Sequence, residues 1–109
     1  MKIITKAIEK AFIKQGDTSQ KEMKDINVIM KLFNPCGGQT WYLYERLSED
    51  IYMCFANLGD PVMAEIGTVS LSELMELRLP FGLKIERDLH FSTMSLQDIY
   101  DKVKSGKHV

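Results

Sequence analysis

The 109-residue sequence is short of cysteine, histidine and net charge, and each shortage excludes a class of protein. Its two cysteines, Cys36 and Cys54, form no Cys-x-x-Cys pair, no zinc-type cluster and no disulfide framework. The expectation is reduced thiols and cytoplasmic residence. Only His90 and His108 offer an imidazole. Neither is near Cys36 in sequence, so a cysteine nucleophile has no obvious base. With 14 Lys and Arg against 15 Asp and Glu, net charge is −1 and the isoelectric point is near 6.1. That balance argues against wholesale nucleic-acid binding through charge and leaves room only for a local basic patch. The opening residues Met1–Lys10 are broken by charge every few positions, so neither a signal peptide nor a membrane span is expected there. No repeat or low-complexity tract appears.

What is present is the composition of a globular chain: 45% hydrophobic and 27% charged residues, enough for one core without metal or disulfide support. Residues 2–15 read as an amphipathic helix, with Ile4, Ala7, Ile8, Ala11 and Phe12 as its apolar stripe. Lys2, Lys6, Lys10 and Lys14 form a row at steps of four. It is either a solvated face or a surface for an anionic partner. A polar loop runs from Gln15 to Asp25. Strand signals follow at 27–33, 40–47, 51–58 and 64–69, separated by turn-forming residues. Short loops between successive strands imply antiparallel pairing in a meander. Ser70 and Glu73 stand at capping-box spacing before Leu71, Leu74 and Met75, and Pro80 stops that helix. Residues 83–91 read as a fifth strand. Ser95 and Asp98 open a last helix with Leu96, Ile99, Tyr100 and Val103 on its inner stripe and Gly106 at its end. The expected class is α+β: a mainly antiparallel sheet of about five strands, an N-terminal helix, a helix before the last strand and a C-terminal helix. The expected organisation is one domain, with helix and loop in 1–26, sheet core in 27–91 and C-terminal helix in 92–109.

The strand at 83–91 gathers the most reactive side chains. Alternation puts Ile85, Arg87, Leu89 and Phe91 on one face and Lys84, Glu86, Asp88 and His90 on the other. Glu86, Asp88 and His90 could converge on a metal ion or move protons, although Lys84 beside them adds unfavourable charge. Arg87 keeps its charge and, if covered, needs an acid, for which Glu45 and Glu65 are the expected partners. Trp41, Tyr42, Tyr44 and Tyr52 with Arg46 suggest an aromatic surface able to stack bases, with Lys10 and Lys14 as added cations. The loop Asn34–Thr40 has two glycines but lacks the lysine of a phosphate cradle.

The pieces Lys31-Leu32-Phe33-Asn34-Pro35, Thr40-Trp41 with Glu45, Leu58-Gly59, Glu65-Ile66-Gly67, Val69–Leu74 and Glu86-Arg87-Asp88-Leu89-His90-Phe91 occur in that order. Together they resemble the bacterial domain of unknown function 2958 family over about 28–91. The resemblance implies a small stand-alone domain carried on plasmids, phages and other mobile elements, and no particular activity. Two positions depart from the pattern, Asn57 where an acid is expected and Ala64 where proline is expected.

The reading drawn from these residues is a non-enzymatic accessory or interaction domain, with no cofactor or resident metal and no membrane contact. It would meet a protein partner or a second copy through a sheet edge or a charged, aromatic surface. The alternatives are a metal-dependent hydrolase or nuclease-like enzyme using Glu45, Glu65, Glu86, Asp88 and His90, and a nucleic-acid-binding module.

Overall fold

A computed structural model describes residues 3–107 and Val109. Lys2 and His108, named above, lie outside the described residues. Helix α1 spans Lys6–Gln15 and begins later than its apolar periodicity suggests because Thr5 caps it. The Thr5 Oγ1 accepts from the Ile8 N–H at 3.2 Å. Gly16, at φ 63°, closes the helix by donating its N–H to the Phe12 carbonyl.

The stretch expected as one strand at 27–33 is two. Strand β1 (Asn27–Val28) leaves the main sheet and is later paired by β7 (Met94–Ser95) in a small antiparallel ladder. Strand β2 (Met30–Phe33) enters the main sheet with β3 (Thr40–Arg46), β4 (Ile51–Asn57), β5 (Glu65–Ser70) and β6 (Glu86–Arg87). The order is β5-β4-β3-β2-β6 and every neighbouring pair is antiparallel. Strands β2 to β5 form the expected meander. Helix α2 (Leu71–Glu76) then leads the chain back to the far edge, where β6 joins β2, and α3 (Leu96–Lys104) ends the fold. The protein is α+β, as its sequence pattern implies.

Helices cover both faces of the sheet. On one face Phe12 of α1 and Leu74 of α2 pack on Leu32, Leu43, Tyr52 and Cys54. On the other, Leu96, Ile99 and Val103 of α3 pack with Val28, Tyr42, Tyr44 and Phe55. A strand covered on both sides has no wet face, which is why Trp41, Tyr42, Leu43 and Tyr44 are all buried. The aromatic surface expected from Trp41, Tyr42, Tyr44 and Tyr52 is therefore interior, not a stacking platform.

A register shift between Leu43 and Glu45 sets Glu45 opposite Met53 and Arg46 opposite Tyr52. The extra residue of a bulge moves everything after it to the other side of the sheet. Glu45 thus faces the α3 side with Met53, and Arg46 faces the α1 side, the reverse of simple alternation.

The segment 83–91 is extended for only two paired residues. Asp88 ends it, its Oδ1 accepting from the His90 N–H at 2.9 Å and its carbonyl from the Phe91 N–H at 3.4 Å. Leu89 is exposed, and Phe91 turns towards Tyr42, with 6.3 Å between ring centroids. The long two-faced strand predicted here is thus a short edge pairing followed by a turn, because the aspartate's own turn competes with the ladder.

Candidate functional site

The sequence-predicted residues are held apart. Glu65 lies in β5 at one edge of the sheet, whereas Glu86 lies in β6 at the other. Four inter-strand steps of about 4.8 Å put those edges roughly 19 Å apart. Glu45 sits between them on β3 and is already engaged: its Oε1 accepts from the Thr18 N–H at 2.9 Å and from the Thr18 hydroxyl at 2.5 Å. His90 is exposed. Among the described residues no group of three or more His, Cys, Asp or Glu side chains could hold a metal ion. The four acids and one imidazole proposed for metal-dependent catalysis therefore form no single centre.

Arg87 is half-buried, as its apolar neighbours imply, but its partner is backbone. Its Nη1 donates to the Ile3 carbonyl at 2.9 Å, so neither Glu45 nor Glu65 takes the role expected of it. The chain ahead of α1 lies against β6 and supplies that carbonyl. Arg46 is likewise occupied, donating to the carbonyls of Ser48 and Glu49, lying 5.7 Å from the Tyr52 ring centre and standing 3.9 Å from Glu9. Lys10 and Lys14 are exposed on α1.

Two polar constructions are better built than any of those predicted. Lys31 pairs with Asp88 at 3.6 Å and also donates to the Val109 carbonyl, which the Tyr42 hydroxyl reaches at 3.2 Å. These contacts tie β2, the turn after β6 and the end of the chain together. Burial pushes the Tyr42 hydroxyl pKa up. In the β3–β4 hairpin, Asp50 accepts from the Ser70 hydroxyl, from the Ser72 hydroxyl at 2.7 Å and from the Ser72 N–H at 2.8 Å. Those bonds, Ser70's first, hold its carboxyl below the usual carboxylate range.

The β5 edge is different because it is open. Glu65, Ile66, Gly67 and Thr68 are exposed along it. The turn leading into the strand presents Leu58 (64% exposed), Val62 (71%) and Met63 (73%). Beside them lies a groove of about 450 Å³, with Trp41 and Cys54 in its floor and Asp60 and Glu65 at its acidic side. Gly67 leaves the space: a Cβ added there would meet nothing within 4 Å, and its backbone has no positive φ. The missed signal was legible. Leu58, Val62 and Met63 are large apolar residues in a stretch otherwise marked as a turn by Gly59, Asp60 and Pro61.

Residues 3–106 match the family described as "Protein of unknown function (DUF2958)". The chain belongs to the DUF2958 family. No curated protein and no solved structure matches it. The family assignment gives the groove its context. In this DUF2958 chain the separate motif pieces Thr40-Trp41, Leu58-Gly59 and Glu65-Ile66-Gly67 meet there, through Trp41, Leu58, Glu65, Ile66 and Gly67. Two other pieces, Lys31–Pro35 and Glu86–Phe91, meet at a hollow of about 360 Å³ lined by Lys31, Asn34, Thr40 and Asp88. Asn57, where an acid is expected, accepts through its Oδ1 from the Gly59 N–H at 3.1 Å. Ala64, in place of the expected proline, is buried against the α3 side.

Proposed function

We propose that this DUF2958 protein is a non-enzymatic interaction domain of mobile-element biology, working in the reducing cytoplasm and taking a polypeptide partner at the β5 edge. The observation that carries the reading is the groove at that edge. It has an apolar floor, an unfilled glycine position, a rim of exposed Leu58, Met63 and Ile66, and two carboxylates beside it. Unpaired backbone groups on an edge strand accept an added strand, and a neighbouring pocket selects one of its side chains. The matching ligand is an extended segment with a large apolar side chain and a flanking Lys or Arg for Asp60 and Glu65. The free state of both Cys36 and Cys54 supports the reducing compartment. No helix among the described residues is long and apolar enough to cross a membrane.

Selection from a displayed peptide library tests this. Peptides enriched on the wild-type chain are expected to carry an aromatic or leucine next to a basic residue. They should lose most of their binding to Gly67→Leu, which fills the groove, and to Glu65→Lys. Enrichment that survives both substitutions removes the groove as the site.

A further inference from the structure

The second unusual surface lies at the turn between α2 and β6. Phe81 is 96% exposed and sits at φ 62°, ψ 22°, the left-handed region that an aromatic side chain rarely occupies. Gly82 follows at φ 72°, and the Leu83 N–H closes the turn on the Pro80 carbonyl at 3.3 Å. Two successive positive-φ residues make a type I′ pattern, which local chemistry assigns to Asn, Asp or Gly rather than Phe. The Leu79 N–H bonds the Leu83 carbonyl at 3.1 Å and the Cys36 thiol donates to the Pro80 carbonyl at 3.6 Å, so the base of the turn is anchored. The tip rises beside a hollow of about 660 Å³ whose lining includes Leu79 and Leu83, two cations, Arg78 and Lys84, and one acid, Glu76. The chain thus spends strain to hold a large aromatic side chain in water, in a cationic setting. Residues that break a local rule in this way cluster where molecules meet.

We propose that Phe81 is the ligand of the β5 groove in a second copy of this chain. This rests on the reading of that groove as a pocket for a large apolar side chain, here presented from a turn rather than from an added strand. Complementarity supports the choice of partner: the groove is apolar with Asp60 and Glu65 beside it, and the tip is an aromatic flanked by Arg78 and Lys84. The groove, at about 450 Å³, is ample for one phenyl ring. Large aromatics seated in desolvated pockets are the usual anchors of interfaces, and the charges around them set orientation and encounter rate. Tip and groove are different patches, so the contact is heterologous and each copy can both give and receive.

Sedimentation of the full chain over a wide concentration range, at low and high salt, tests the assignment. The wild type is expected to associate with concentration, and less so at high salt. Phe81→Asn keeps the turn and removes the ring, and Gly67→Leu keeps the ring and fills the groove. Each alone should weaken association by about tenfold or more, while an equimolar mixture of the two should recover a dimer, since one intact tip still meets one intact groove. A wild type that stays monomeric throughout overturns the inference. So does association unaffected by either substitution, or a mixture no better than its components. If the wild type is monomeric yet library peptides still bind in a Gly67-dependent way, the groove stands as a binding site and only the choice of a second copy is wrong.

Discussion

Burial at single residues is resolved here by backbone partners more than by opposite charges. Arg87 takes the Ile3 carbonyl, Lys31 takes that of Val109 as well as Asp88, and Arg46 takes those of Ser48 and Glu49. The ionisable groups with the largest shifts are apolar in setting. Burial pushes the Cys54 thiol up to about 11 and the Tyr44 hydroxyl up to about 12. Each group is neutral when protonated, so the folded state keeps its proton after the unfolded chain has lost it. The stability they contribute is complete below their unfolded values, about 8.5 and 10, and is lost as pH rises through the folded ones. Urea midpoints should therefore hold up to about pH 8.5 and fall above it, and Cys54→Ala should remove the earliest part of that fall. In the native protein a thiol reagent should modify the exposed Cys36 and leave Cys54 untouched until unfolding.

At the scale of elements, the helices depend on their caps to different degrees. Helix α3 is amphipathic, and Ser95 caps it by accepting from the Asp98 N–H at 3.1 Å. Removing that hydroxyl in Ser95→Ala should lower stability by about 1 kcal/mol without changing the fold. Helix α2 has only six residues, too few to stand by propensity. Its start is held by Ser70, by the Leu71 N–H on the Asp50 carbonyl at 2.9 Å, and by the Asp50 carboxylate. The depressed Asp50 pKa means this clamp is intact above the usual carboxylate range and is released as pH falls through the folded value. Asp50→Ala should speed amide exchange across Leu71–Glu76 while leaving α3 unchanged. Equal acceleration in both helices would show that Asp50 acts globally instead.

Across the whole molecule, one sheet carries two cores. Leu43 faces α1 and α2, Tyr42 and Tyr44 beside it face α3, and the central strands β3 and β4 each supply side chains to both cores. A cavity on either face should therefore lower the same unfolding transition. Leu43→Ala on one side and Ile99→Ala on the other should each cost about 2–5 kcal/mol. Trp41 is the only tryptophan and lies on the α1 side. Its fluorescence midpoint should nevertheless drop with Ile99→Ala, in step with the circular-dichroism midpoint. A Trp41 signal indifferent to Ile99→Ala would mean that the two layers unfold separately.

The features that the sequence determined by itself are those written within a few residues. They are the three helices, the serine caps of the last two, the meander of β2 to β5, the turn-forming stretches and the α+β class. Tertiary structure decided which face each side chain serves. A bulge at Leu43/Glu45 reversed the sides of Glu45 and Arg46, and a second layer of helix turned the tyrosine row into core. The Asp88 turn cut the last strand short. The candidate site was legible only in fragments: Trp41, Leu58 and Gly67 belong to three different strands or turns, and the space between them exists once β3, β4 and β5 are in register. Local periodicity reports how one segment alternates. It carries no term for what a distant segment covers, and that covering separates a core tyrosine from a binding surface.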